Sequence, residues 1–150
     1  MSDVTIFGLG YRIPFYDLNS SLDLIAGHSN VNSGVVQGLF SVSGSGTIGA
    51  ARWNYFLPKW GDVEQKLAVG IDYRAFNNEV ESQGQQLVPD ITIHPLSLNY
   101  NGLMRMSAAE LSFFASGAAN IPGGNDGNQA AFTASRPGAT DNYTLFRYGF

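Results

Sequence analysis

Residues 65–76 read QKLAVGIDYRAF, and apolar and polar side chains alternate along them. Leu67, Val69, Ile71 and Tyr73 fall on one set of positions, and Lys66, Gly70, Asp72 and Arg74 on the other. Successive side chains of a strand point to opposite faces, so this pattern predicts a strand with one oily and one charged face. The pattern recurs. VTIFGLGYRIPF (4–15) sets Phe7, Leu9, Tyr11, Ile13 and Phe15 against Gly8, Gly10 and Arg12, and LDLIAGHS (22–29) sets Leu22, Leu24 and Ala26 against Asp23, Gly27 and Ser29. TIGAARWNYFL (47–57) places Ala51, Trp53, Tyr55 and Leu57 opposite Arg52 and Asn54, then turns at PKWGD. In ITIHPLSLNY (91–100), Leu96, Leu98 and Tyr100 share a face, and Pro95, which has no N–H to donate, predicts a bulge or a strand mouth. ELSFFASGAANI (110–121) offers Leu111, Phe113 and Ala115 against Glu110, Ser112 and Ser116, with Phe114 breaking the alternation. NYTLFRYGF (142–150) carries Thr144, Phe146, Tyr148 and Phe150 opposite Arg147.

Strands of roughly nine to eleven residues are long enough to cross a bilayer. The connections between them alternate: 16–21, 58–64 and 101–109 are short, whereas the polar or glycine-rich stretches 30–46, 77–90 and 122–142 read as long loops. Outer-membrane barrels alternate in this way, with short periplasmic turns and long external loops. The expected fold is therefore all-β: an antiparallel transmembrane β-barrel segment of about seven to eight strands, one partial barrel domain over residues 1–150. Such a sheet would keep two open edges, and unpaired backbone groups cost several kcal/mol each in lipid. The expectation is that strands are missing, or that the edges close by self-association.

Composition narrows the class further. Charged residues make up 13% of the chain, about half the globular average of roughly 25%, and Gly, Ser, Asn and aromatics fill the deficit. There is no apolar run of helix-spanning length, no basic-then-apolar leader and no cysteine, and the formal charge is -4. Eight scattered basic residues argue against a nucleic-acid partner.

By alternation, Phe7, Leu9, Tyr11, Trp53, Tyr55, Leu67, Val69, Ile71, Tyr73 and Phe113 face lipid, while Arg12, Arg52, Asn54, Lys66, Asp72, Arg74 and Arg147 line a pore. The charges on that second face either line a passage or simply pair with one another beside water. Arginine at Val69 should carry the lipid penalty, and arginine at Gly70 should not. His28 and His94 fall at strand ends without companion carboxylates, which makes no metal site, and Asn125, Asp126 and Asn128 supply a single acid, too few for calcium. The glycine runs FGLGYRIP and SVSGSGTIGA lack the Lys-Ser/Thr of a phosphate loop. No nucleophile elbow or related Ser/His/Asp set is legible, so neither catalysis nor a cofactor is expected.

Several motifs stand in a fixed order: Leu57-Pro58, Gly61-Asp62, Lys66-Leu67, Asp72-Tyr73-Arg74, and His94 to Tyr100 as HPLSLNY, followed by AANIPGGNDGNQAAF and NYTLFRYGF. Together they resemble the middle of the barrel of the two-partner secretion transporters, the hemolysin activation/secretion protein family of Gram-negative outer membranes. The resemblance runs from about Phe7 to Tyr148. It implies a location in the cell outer membrane and a barrel that translocates a secreted passenger protein without nucleotide hydrolysis. The partners it implies are the passenger and the lipid bilayer. The family's POTRA domains, plug helix and VRGF-type loop tip are not in this sequence, so only the channel wall carries over. The alternative reading is a small stand-alone outer-membrane barrel acting as adhesin or passive porin.

Overall fold

The computed structural model describes residues 3–36, 40–82, 85–86 and 89–150. About 70% of the chain is strand, in one antiparallel sheet that is not closed. The elements are β1 (Asp3–Phe15), β2 (Ser20–Val36), β3 (Phe40–Trp60), β4 (Val63–Ser82), β5 (Gln85–Gln86), β6 (Ile91–Ile93), β7 (Pro95–Arg105), β8 (Glu110–Asn120), α1 (Gln129–Ser135) and β9 (Thr144–Gly149). The order β1-β2-β3-β4-β7-β8-β9 is a meander, and β5 and β6 pair with the far half of β4. Seven strand positions therefore lie side by side, as the alternation predicted.

The short turns form where local chemistry demands them. A 3-10 turn at Tyr16–Leu18 ends on Asn19 in the left-handed region (φ 44°), which asparagine tolerates, and the β3–β4 hairpin turns through Gly61 (φ 59°) and Asp62. At the third short turn the Met106 N–H donates to the Ala109 carbonyl at 2.8 Å. The turn falls at the end of PKWGD, so the strand ends three residues beyond Leu57. β3 runs through Trp60, and the ladder irregularity between Leu57 and Trp60 accommodates Pro58, which has no N–H to give.

Two expected loops are largely strand. β2 and β3 stay paired from Asn30↔Ser45 up to Val36↔Phe40, and β3 pairs with β4 up to Phe40↔Ser82. The described residues of 30–46 and 77–90 thus extend the paired strands as the arms of tall hairpins, and residues 37–39, 83–84 and 87–88 lie outside the described set. Small polar residues and glycines blur the alternation there.

The break at Pro95 is real but shifts nothing. Arg74 pairs with Ile93 and Ile71 with Leu96, so the ladder skips the rungs at His94 and Pro95 and resumes in the same register. Beyond β8, residues 121–143 are partly folded rather than an open loop. Asn128 caps α1 by accepting from the Ala131 N–H at 3.0 Å, and Phe132 is buried beside Tyr143. Gln129 ties the far side through bonds to the Ala139 carbonyl and the Asp141 N–H. The segment docks on β6, where the Thr92 N–H donates to the Asp126 carbonyl at 2.9 Å.

Glycine and aromatic residues interlock across the sheet. Gly102 lies opposite Phe113, and a methyl group built on it would overlap the Phe113 ring. Gly149 holds Phe114 in the same way, so the residue that breaks the alternation of β8 covers a glycine on β9. Gly102→Ala is expected to cost about 1–3 kcal/mol through this overlap. Denaturant midpoints for Gly102→Ala and for Gly10→Ala, which meets nothing within 4 Å, check it: equal midpoints would mean the ring does not need the glycine.

Candidate functional site

Pairing carries the alternation of single strands across the whole sheet. On one face the rungs read Tyr11, Leu24, Ala51, Ile71 and Leu96, then Leu22, Trp53, Val69 and Leu98, then Tyr55, Leu67, Tyr100 and Ala115. Phe7, Leu9, Tyr73, Phe113, Phe146 and Tyr148 share that face. On β1 the apolar row from Phe7 to Phe15 spans eight residue steps, about 27 Å along the strand and about 20 Å in height at a 40° tilt, near the roughly 25 Å apolar band of an outer-membrane barrel. Above it the face turns polar at Asn30, Ser45 and Asn77.

The opposite face carries the charges, with rungs Ser21, Asn54, Ala68, Asn99, Ser116 and Arg147, and then Arg12, Asp23, Arg52, Gly70 and Ser97. Lys66, Asp72 and Arg74 lie on it one or two rungs away. All seven residues expected to line a pore share this face, and all ten expected to face lipid share the other. The polar face is not uniform: Ile25, Ile48 and Phe76 sit on it toward the long hairpins.

Burial is inverted relative to a soluble domain. Ala68 and Asp72 are each 6% exposed, whereas Val69, Ile71 and Tyr73 between and beside them are 45%, 48% and 45% exposed. Among the described residues the buried apolar side chains are few, Ala68, Pro95 and Phe132, while Ser20, Ser21, Asn54, Asp72 and Asn120 are buried. The sheet curls around its polar face. A trough of about 390 Å³ is lined by residues from Asp23 on β2 to Arg147 on β9.

An ion-pair network organises the trough. Arg12 donates to both oxygens of Asp23, at 2.6 and 2.8 Å, a bidentate pair between neighbours on one rung. The Asn54 amide donates to Asp23 at 3.0 Å and to Ser21 at 3.3 Å. Asp72 accepts from Arg52 at 3.2 Å and from Arg74, two residues along its own strand, at 2.5 Å. Arg52 reaches Asp72 diagonally, across Gly70, its partner on the rung. A Cβ on Gly70 would lie 2.9 Å from the Arg52 Cγ and 3.2 Å from the Ser97 hydroxyl. Arginine at Gly70 would stay on the charged face but displace the Arg52 stem, a cost that alternation does not report. Of the two readings of the charged face, the pairing of the carboxylates is present.

Lys66 and Arg147 differ from the other cations of this face. Among the described residues neither has a carboxylate within ion-pair distance, although both line the trough.

At the short-turn end, outside the apolar band, Glu64 binds Lys59 at 2.8 Å and Arg105 at 3.0 Å. The hydrogen bond from Lys59 first, then the charge of Arg105, hold its carboxyl below the usual range. The histidines sit where the strands leave the apolar band. His28 shares a 2.9 Å hydrogen bond with Thr47 and packs beside Phe7, and His94 packs beside Tyr73. Asn128, one of the three residues weighed for calcium, is engaged as the helix cap and also donates to the Asn125 carbonyl.

No family model, curated protein or solved structure matches this chain.

Proposed function

We propose that this chain forms part of the wall of an outer-membrane β-barrel that conducts a partner protein across the membrane, the role implied by its resemblance to two-partner secretion transporters. The observation that carries the reading is the inverted burial: alternate residues of β4 are apolar and exposed, or small or charged and buried. In water, the exposed row of Leu, Val, Ile, Trp and Tyr would be an apolar patch far larger than a soluble monomer tolerates. Against acyl chains it is the favourable arrangement, and the paired charges then border an aqueous lumen. The connection pattern agrees, with tight turns at one end of the sheet and tall polar hairpins plus the α1 segment at the other.

The outer edges of β1 and β9 carry no strand partner among the described residues. In a bilayer these edges must pair, either with further strands of a larger barrel or with another copy of the chain. The wall contributes shape and electrostatics, with no catalytic step assigned to it.

The test is partitioning. Expressed with an export signal in a Gram-negative cell, the chain is expected in the outer-membrane fraction, and the purified protein should float with liposomes and show β-type circular dichroism. A monodisperse monomer that stays soluble without detergent at high concentration would overturn the reading.

A further inference from the structure

We infer that the trough is a track for acidic stretches of an extended polypeptide, an inference that rests on the channel-wall reading and names the chemistry of what passes over the wall. The chain as a whole carries a formal charge of -4, yet the trough is lined by four cations, Arg52, Lys66, Arg74 and Arg147, against two carboxylates. Both carboxylates are already engaged: Asp23 by Arg12 and Asn54, Asp72 by Arg52 and Arg74. Lys66 and Arg147 stand outside that network, and both lie on the trough wall. Lys66 acts on Asp23 only through space and, like Arg147, makes no ion pair among the described residues, so both keep donors for whatever enters.

The rest of the wall suits a peptide backbone. Ala68 and Ser97 are small, and Asn99 and Asn101 present amides that both donate and accept, as an extended chain requires of its surroundings. Lys66 and Asn101 also line a second cavity of about 520 Å³ toward the short-turn end. That cavity is mixed, with Phe56, Leu103, Phe113 and Phe114 beside Glu64, so the cationic wall ends at Lys66. A carboxylate-bearing extended segment gains charge-assisted bonds from the two cations and amide bonds from the floor, whereas a basic segment meets the excess positive charge.

The experiment uses the full chain refolded in detergent, with fluorescently labelled hexaglutamate and hexalysine as probes read by anisotropy at low salt. Hexaglutamate is expected to bind and hexalysine not to. The Lys66→Gln/Arg147→Gln double variant should bind hexaglutamate about tenfold more weakly, equivalent to about 1.4 kcal/mol. Lys59→Gln, at the short turn, should leave binding unchanged. Equal or tighter binding of hexalysine by the wild-type chain, no binding of hexaglutamate, or an unaltered, folded double variant would each overturn the inference. The comparison of the two peptides on the wild-type chain needs no variant to fold. Flotation of the same preparation with liposomes separates the two claims, because protein that inserts but prefers hexalysine keeps the wall reading and loses the acidic track.

Discussion

Val69→Arg is expected to destabilise the membrane-inserted sheet by about 2–4 kcal/mol, the cost of an arginine near the bilayer midplane on a lipid-facing strand. Val69 lies midway along the apolar row of β4, flanked by Trp53 on β3 and Leu98 on β7. Its side chain points away from the trough, and the nearest carboxylates face the other way. Asn99→Arg provides the contrast. Asn99 is on the trough face, opposite Ala68 and Ser116, where an arginine remains beside water and the cost should stay below about 1 kcal/mol. Urea unfolding from liposomes measures both. Equal losses at the two positions would mean that the faces have been assigned wrongly.

The second large effect is expected at Asp72. Its side chain is 8% exposed and neutralises two arginines at once. Asp72→Ala leaves Arg52 and Arg74 facing each other without their shared acceptor. Both arginines are more than a third exposed, so water screens part of the loss, and about 1–3 kcal/mol is expected rather than the larger figure for a fully buried pair. Asp72→Asn, which keeps the shape and one acceptor, should cost less. By comparison, Arg12 is 64% exposed in its pair with Asp23, and Arg12→Ala should cost less than Asp72→Ala. If Arg12→Ala proves as costly as Asp72→Ala in the same unfolding assay, the network is not centred on Asp72.

Facing was legible in the sequence because period-two alternation is a local property. Once Leu67, Val69, Ile71 and Tyr73 are placed on one side of β4, Lys66, Asp72 and Arg74 must fall on the other. Three features lie outside what alternation reports. The tall hairpins beyond Asn30 and Asn77 were read as loops because serine, asparagine and glycine weaken the alternation there, and cross-strand pairing replaces the pattern as what holds those strands. The helix Gln129–Ser135 was missed although a signal existed: Asn128 followed by Gln-Ala-Ala-Phe is a cap before good helix formers. The crowding at Gly70 depends on register. Only the pairing of Arg52 with Gly70 shows that the arginine stem lies over the glycine on its way to Asp72, and no single strand carries that information.

The central claim is that one face of this sheet meets lipid and the other water, and the cysteine-free chain allows it to be tested residue by residue. Single cysteines at positions 67–74, refolded into liposomes, would each carry a fluorophore and be exposed in turn to a lipid-dissolved quencher and to a water-soluble one. The account predicts strict alternation, with positions 67, 69, 71 and 73 quenched from the lipid and positions 68, 70, 72 and 74 from the aqueous phase. Quenching without a two-residue period, or with lipid access at Asp72 and aqueous access at Val69 and Ile71, would contradict it.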